Sequence, residues 1–276
     1  MSKVLKLNPL YMEKIWGYEK WILSTHKNGI SFVDSDQRNL LECIGRELPI
    51  LIKEIKANNN LSVQVHPSDD YANKYENDFG KTECWYVLDA DKDATLICGL
   101  KDGVTKEDFK NALECSNVEG LLKRINVKVG DMIYIPAGTV HAVEGGIKIL
   151  EIQQCSDVTY RIYDWGRDRE VHIDKALDVI NFNSDVNYGR IENFTRLESP
   201  YFIVEKLIID GEYIDHCGDN YCVYICLNGS GTITMEKNGN AISISELDTI
   251  YISQNIGCKI NGSIEVLKVV DKITLN

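Results

Sequence analysis

Three short segments place metal-binding side chains on strand faces. In Gln64-Val-His66-Pro67 the first and third residues are two apart, so on a strand the Gln64 amide oxygen and the His66 imidazole look the same way. Pro67 has no N–H to donate and ends that strand. The same spacing in Lys81-Thr-Glu83-Cys-Trp85 puts Lys81, Glu83 and Trp85 on one face. In Gly130-x5-Pro136-x-Gly138-x2-His141 a strand ends at Pro136, Gly138 accepts a positive-φ turn, and His141 is delivered onto the next strand. Two imidazoles, one carboxylate and one amide oxygen suit a divalent transition metal with positions left for water or substrate. Zinc, manganese, iron and cobalt all accept such donors.

The densest polar stretch comes next, Glu151-Ile-Gln153 and then Asp157-Val-Thr-Tyr-Arg161-Ile-Tyr-Asp-Trp-Gly-Arg167. Glu151 and Gln153 share a strand face. Asp157 and Arg161 could form a structural bridge at a strand turn; beside a metal cavity, Arg161 and Arg167 read instead as anion clamps, because guanidinium binds phosphate bidentately. His26, His172 and His216 stand outside any such pattern and read as hydrogen-bonded core or surface residues. Gly80-Lys81-Thr82 looks like the tail of a phosphate-binding P-loop, but that motif needs glycine where Tyr75 stands. No GxGxxG occurs, so a Rossmann unit has no support.

Holding these residues calls for strands, and the chain supplies them. Short β-branched and aromatic runs at 49–56, 61–65, 84–89, 94–98, 131–135, 147–154, 201–209, 221–227, 231–235 and 248–252 are separated by Gly, Asn and Asp turns, the pattern of an all-β sandwich or barrel. Helices are expected after Ser68, after the capping boxes Thr105–Asp108 and Ser116–Glu119, and from Ile173 to Phe182. The spacing around His141 resembles the second metal motif of cupins, which are small double-sheet barrels. Asp131-Met-Ile-Tyr-Ile-Pro136 recurs weakly as Asp248-Thr-Ile-Tyr-Ile-Ser253, a register that pairs His141 with Cys258. The fold expected is therefore mainly β: two cupin-like jelly-roll barrels with a few short helices. Residues 1–182 would form the metal-binding domain, with short helical insertions, and 183–276 a cupin-like domain lacking metal ligands. The boundary is placed in the Asn- and Asp-rich stretch 181–193.

A formal charge of -12 argues against broad nucleic-acid or anionic-membrane binding, while leaving room for one phosphate held by local cations. No apolar run approaches the ~18 residues of a membrane span. The start, Met1 to Pro9, lacks an apolar leader segment, so a cytoplasmic protein is expected. The nine cysteines include no CxxC pair and read as reduced, mostly buried thiols.

Taken together, Ser62-Val-Gln64-Val-His66-Pro67, Gly-Lys81-Thr-Glu83-Cys-Trp85-Tyr, Pro136-Ala-Gly-Thr-Val-His141-Ala and Ser-Asp157-Val-Thr-Tyr-Arg161-Ile-Tyr-Asp-Trp-Gly-Arg167 resemble, in family order, the signatures of short bacterial type I mannose-6-phosphate isomerases. The resemblance is strong over roughly residues 8 to 182 and looser beyond. It implies one zinc ion per chain held by Gln64, His66, Glu83 and His141. It also implies Arg161 at the active-site position, Lys81, Glu151 and Asp157 as further active-site groups, and Ser62 and Arg167 as phosphate contacts. Trp16-Gly17, after Lys14, resembles the family's N-terminal Lys-x-Trp-Gly element, with Tyr18 where a second glycine is common; Trp16 is carried over as a substrate contact. The chain lacks the large helical insertion of longer members. The activity implied is aldose–ketose isomerisation of a small sugar phosphate through a cis-enediol, with Glu151 as first candidate for the base and Lys81 as second. Two other readings are a cupin metal dioxygenase and a non-catalytic sugar-phosphate-binding protein.

Overall fold

All ten expected strand runs form strands in the computed structural model, which describes residues 3–34, 38–183, 186–236 and 239–272. The chain is mainly β and antiparallel, with four short α-helices among the described residues, as a cupin-like architecture requires. It divides into two units: Met1–Leu10 with Trp21–Leu51 and Asn193–Asn276, and Tyr11–Lys20 with Ile52–Glu192.

This division differs from the expected cut between 182 and 183. The strand Val4–Asn8 pairs with Thr249–Ile252, so the first strand belongs with the C-terminal residues. The strand Gly189–Ile191 pairs with Met132–Ile135, so the earlier unit runs on to residue 192. Pairing between strands far apart in sequence leaves no local signal. Within the 181–193 stretch, residues 184 and 185 lie outside the described residues, as do Met1 and Ser2 at the start.

Alternation fixes the unit that carries the candidate residues. Its five-stranded sheet runs in the order 122–126, 95–100, 141–143, 63–65, 160–163. Val63, Val65, Val140 and Ala142 are buried on one side of it, against Phe109, Ala176 and Leu177. With a period of two, Gln64 and His141 must then face the other way. A one-residue slip would expose both valines, and each such burial contributes ~2 kcal/mol. On the opposite side Leu96, Cys98 and Val143 share a core with Trp85, Val87, Ile133 and Ile149 of a second sheet, in which Glu83–Ala90 lies between Met132–Ile135 and Ile147–Gln154. The helices Asp69–Tyr75, Lys106–Glu114 and Ile173–Val179 form where expected, and Thr105 and Asp108 make their capping box in both directions. The second box does not form. Ser116 takes a left-handed φ of 53° and is followed by a 3-10 turn, Val118–Leu121, so it cannot act as the cap of an α-helix.

In the other unit the runs at 221–227 and 231–235 merge into one strand, Cys222–Met235, which pairs with Ile256–Asp271; the latter also pairs with Phe202–Cys217. The ladder with Ile256–Asp271 shifts register between Cys226 and Asn228, and the next residue, Gly229, has a φ of +81° and a position where a Cβ would lie 2.2 Å from the Ser263 carbonyl oxygen.

The weak repeat is structural. Asp131 accepts from the Lys128 N–H and donates its own N–H to the Lys128 carbonyl; Asp248 does both with Ser245. Val87 N–H donates to the Asp131 carbonyl as Cys226 N–H does to that of Asp248. Two cysteines depart from the expectation of reduced thiols. Cys217 and Cys222 end and begin successive strands, with Cα atoms 5.8 Å apart, and form a disulfide.

Candidate metal centre and cleft

Strand register brings three of the expected residues into one row: Gln64 lies opposite His141 on one neighbour and opposite Arg161 on the other. Directly opposed residues share a face. His66 follows two residues after Gln64 and is fully buried. From the facing sheet comes Glu83, opposite Gln153, with Glu151 opposite Trp85.

The ligand atoms of His66, Glu83 and His141 all lie within 4.8 Å of one another. Glu83 Oε2 is 3.4 Å from His66 Nε2, and Oε1 is 3.3 Å from His141 Nε2. Both rings are oriented from behind: His66 Nδ1 donates to the Val158 carbonyl at 2.8 Å and His141 Nδ1 to that of Thr139 at 2.9 Å. That leaves each Nε2 with its lone pair aimed at Glu83, the tautomer a metal ligand needs. Glu83 Oε1 is buried without a hydrogen-bond donor. Lys81 reaches His66 Nε2 and Glu83 Oε2 but leaves Glu83 Oε1 unmet, and two imidazoles with a carboxylate converging in a dry interior fit a divalent metal. Gln64 lies beside the cluster: its amide turns Nε2 toward His141 Nε2 at 3.3 Å and Oε1 toward Ser62 Oγ, and rotating the amide would present the oxygen.

Lys81 supplies positive charge at the edge of this cluster, donating to Glu83 Oε2 at 2.7 Å and to His66 Nε2 at 3.0 Å. Burial first, then Lys81, pulls the His66 pKa down to about 4; burial likewise lowers that of His141. Burial opposes the Glu83 charge, but Lys81 and the two histidines outweigh it and hold the carboxyl well below its usual range.

Beside the cluster opens a cleft of about 300 Å³, lined by Lys14, Trp16, Glu19, Lys53, Ser62, Gln64, Lys81, Glu151, Asp157, Thr159, Arg161 and Arg169, with Ile55 and Leu61. Glu151 is buried. Trp85 Nε1 donates to its Oε2 at 3.0 Å, while Lys53 and Lys81 stand 3.5 and 3.9 Å from its Oε1. Burial, then the Glu83 charge, raises the Glu151 pKa. The wall at Trp16 depends on the residue after it. Gly17 has a φ of +152°, and a Cβ there would fall 1.9 Å from the Lys56 carbonyl oxygen. The Trp16 carbonyl in turn accepts from the N–H groups of Asn58 and Asn59 at 2.8 and 3.0 Å.

Of the residues read from sequence, Ser62, Gln64, Lys81, Glu151, Asp157, Arg161 and Trp16 line the cleft, and His66, Glu83 and His141 form the ligand cluster. Arg161 does not form the bridge to Asp157; its Nη1 donates to the Glu170 carbonyl at 2.6 Å. Arg167 is not in the lining. Its Nε and Nη2 are spent on Asp164, and Nη2 also donates to the Asn60 carbonyl at 2.8 Å. Missed were Lys14, Glu19, Lys53, Thr159 and Arg169. Lys53 had a signal: a lysine inside Ile50-Leu-Ile-Lys53-Glu-Ile is a charge in an apolar strand, and such charges are buried only when paired. Burial works against its ammonium, but Glu19 and Glu151 prevail and raise its pKa.

No family model matches the chain. The mannose-6-phosphate isomerase ManA of Bacillus subtilis is 38% identical to it, over 76% of this chain and 81% of its own length. The mannose-6-phosphate isomerase of Streptococcus mutans is 37% identical, over 85% and 88%. Among solved structures, that of the mannose 6-phosphate isomerase from Bacillus subtilis superposes with a TM-score of 0.83 at 29% identity, covering 96% of this chain and 99% of that one. The fold is thus the cupin-type fold of the phosphomannose isomerases. A mannose 6-phosphate isomerase bound with zinc and yttrium, 14% identical with a TM-score of 0.74, shares it. Relatedness of that degree and extent, in a chain whose own strands gather a His–Glu–His cluster beside an arginine-lined cleft, places it in the mannose-6-phosphate isomerase family.

Proposed function

We propose that the cleft interconverts mannose 6-phosphate and fructose 6-phosphate, with Gln64, His66, Glu83 and His141 holding a zinc ion at its edge. The observation that carries this reading is the placement of a buried, pKa-raised carboxylate, Glu151, in the cleft beside the His66–Glu83–His141 cluster. Bound there, a divalent cation would supply Lewis-acid stabilisation of negative charge developing on the substrate's O1 and O2.

The chain's own groups move the proton. Glu151 takes the proton from C2 of the aldose, and the C–H electron pair becomes the C1=C2 bond of a cis-enediol as O1 gains a proton. Glu151 then returns its proton to C1 while O2 loses one, which leaves the ketose. Burial suits Glu151 to this role, since a carboxyl near its ordinary pKa is a modest base. Trp85 Nε1 fixes Oε2, so Oε1 is the proton-carrying atom. Lys81 lies within reach of both Glu83 and Glu151 and is placed to shuttle the hydroxyl proton between O1 and O2. Arg161 and Ser62 are proposed for the phosphate, Trp16 as an apolar wall against the sugar, and Asp157 as a hydrogen-bond partner of its hydroxyls; Arg167, whose Nε and Nη2 are taken by Asp164 and Asn60, is not among them.

Among the described residues no helix is long and apolar enough to cross a membrane. A small sugar phosphate as the partner and a cytoplasmic setting accord with the reading. It is tested by a coupled isomerase assay on mannose 6-phosphate, run as purified, after chelation and after zinc add-back. Activity should vanish on chelation and return with zinc; no fructose 6-phosphate from metal-replete protein would end the proposal.

A further inference from the structure

Two arginines, Arg161 and Arg169, line the cleft, and the way the carboxylate of Asp164 is shared between Arg169 and Arg167 decides which arginine is available to a ligand. Asp164 is buried and accepts from two arginines at once. Arg169 approaches side-on, Nε to Oδ2 and Nη2 to Oδ1, both at 2.7 Å. Arg167 donates Nε and Nη2 to Oδ1 at 3.1 and 2.7 Å, and is held further by the carbonyl oxygens of Asp164 and Asn60. Burial opposes the Asp164 charge, but Arg169 and Arg167 outweigh it and keep the group ionised.

The two arginines differ in what they have left. Arg169 uses one edge of its guanidinium and lines the cleft; Arg167 does not line it. Arg161, also in the lining, has no ion pair among the described residues, and its Nε is buried without a hydrogen-bond partner. Burial first, then the Arg169 charge, lowers the Arg161 pKa; Arg167 adds to this, while Asp164 and Glu170 oppose it. The lysines of the cleft are differently placed: Lys53 and Lys81 sit against Glu19, Glu83 and Glu151. Two guanidinium groups lining one cavity, Arg161 with no ion pair and an orphaned N–H and Arg169 with only one edge engaged by Asp164, call for an anion with several oxygens.

We infer that Arg169, together with Arg161, is the anion-binding pair of this cleft for the dianionic phosphate monoester of the substrate, and that Arg167 serves the site only by sharing Asp164. This deepens the function proposed above and rests on it for the identity of the substrate, although anion binding can be measured without turnover. Asp164 is the positioning residue: it turns one edge of Arg169 inward and leaves the other edge toward the cavity.

The test uses inorganic phosphate as the probe on the metal-replete full chain. Its binding is measured by calorimetry for wild type, Arg169→Ala, Arg169→Lys and Arg167→Ala, with KM for mannose 6-phosphate and thermal melting on the same samples. Arg169→Ala should weaken phosphate binding and raise KM about 10- to 100-fold, the usual loss of a charged hydrogen bond, with a smaller effect on kcat. Arg169→Lys should recover part of that by charge alone. Arg167→Ala should melt earlier yet bind phosphate within about threefold of wild type, as expected for an indirect role. Folded Arg169→Ala that binds phosphate like wild type would overturn the inference, as would an Arg167→Ala loss equal to that of Arg169→Ala. Wild type that binds phosphate in an Arg169-dependent way but does not isomerise mannose 6-phosphate would support the anion site and defeat the catalytic reading.

Discussion

Cys258 occupies, in its own unit, the register position that His141 occupies in the other. Each lies five residues beyond the repeated strand end, Pro136 or Ser253, and each faces a strand residue across an antiparallel pair, Gln64 for His141 and Asp215 for Cys258. The correspondence continues. Matching Met132–Ile135 to Thr249–Ile252 sets Glu83 against Cys222 and Trp85 against Tyr224, and the step from Gln64 to His66 becomes that from Asp215 to Cys217. The four positions proposed to hold the metal thus recur as Asp215, Cys217, Cys222 and Cys258. Two of these are joined in a disulfide, and Asp215 is taken by Tyr224 and Lys268.

One consequence is a single metal per chain. Purified protein dialysed against zinc should carry about one equivalent by elemental analysis, the count expected of one four-donor site. His141→Ala should lose most of it, and Cys258→Ala should retain it. A second equivalent that disappears with Cys258→Ala would refute this assignment.

The ligand cluster also ties metal-free stability to pH. His66 has a folded pKa of about 4 against 6.5 for the free side chain, so between those values the unfolded chain binds the extra proton. Stability from this group is fully present above pH 6.5 and lost as pH falls toward 4. Glu83, whose folded pKa is also depressed, adds a loss in the same direction at lower pH. The metal-free protein should therefore melt at progressively lower temperature from pH 6.5 to 4. His66→Gln should flatten that slope, and an unchanged slope would show that the histidine is not buried in its neutral form.

Much of this site is legible in the amino-acid sequence. The i, i+2 pattern in Gln64-Val-His66 and Lys81-Thr-Glu83 needs only a strand to become a shared face, and the flanking Val63 and Val65 carry the signal that sets which face is inward. What sequence does not carry is tertiary. Val4–Asn8 pairs with a strand some 240 residues away, and no local pattern announces that partner. Arg167 and Arg169 are equivalent by residue type; only the sharing of Asp164 separates them. Ser116 shows the opposite failure, where a good local capping box yields to a left-handed turn.

Glu151 gains its proposed role from burial and from Trp85. Glu151→Gln should lower kcat by about 10²- to 10⁴-fold with metal content intact, the usual span for losing a general base. Trp85→Phe keeps the ring and removes the donor to Oε2, so the carboxylate loses a hydrogen bond that favours its charged form. The acid limb of the kcat–pH profile should then move to higher pH. A profile unmoved by Trp85→Phe, or near-normal turnover in Glu151→Gln, would remove Glu151 as the base.

Gly17 links backbone geometry to the cleft wall. Its φ of +152° disfavours any side chain, and a Cβ would meet the Lys56 carbonyl at 1.9 Å, so alanine there must displace the segment that carries Trp16. Gly218 offers the contrast, since a Cβ at that position meets nothing within 4 Å and its φ is not in the left-handed range. Gly17→Ala should cost more than ~1 kcal/mol, seen as a fall in melting temperature of at least ~2–4 °C, and should raise KM by disturbing Trp16, whereas Gly218→Ala should stay within ~0.5 kcal/mol of wild type. The two melting curves decide it: equal behaviour would mean that the Lys56 strand gives way freely and that the close approach at Gly17 does not hold Trp16 in place.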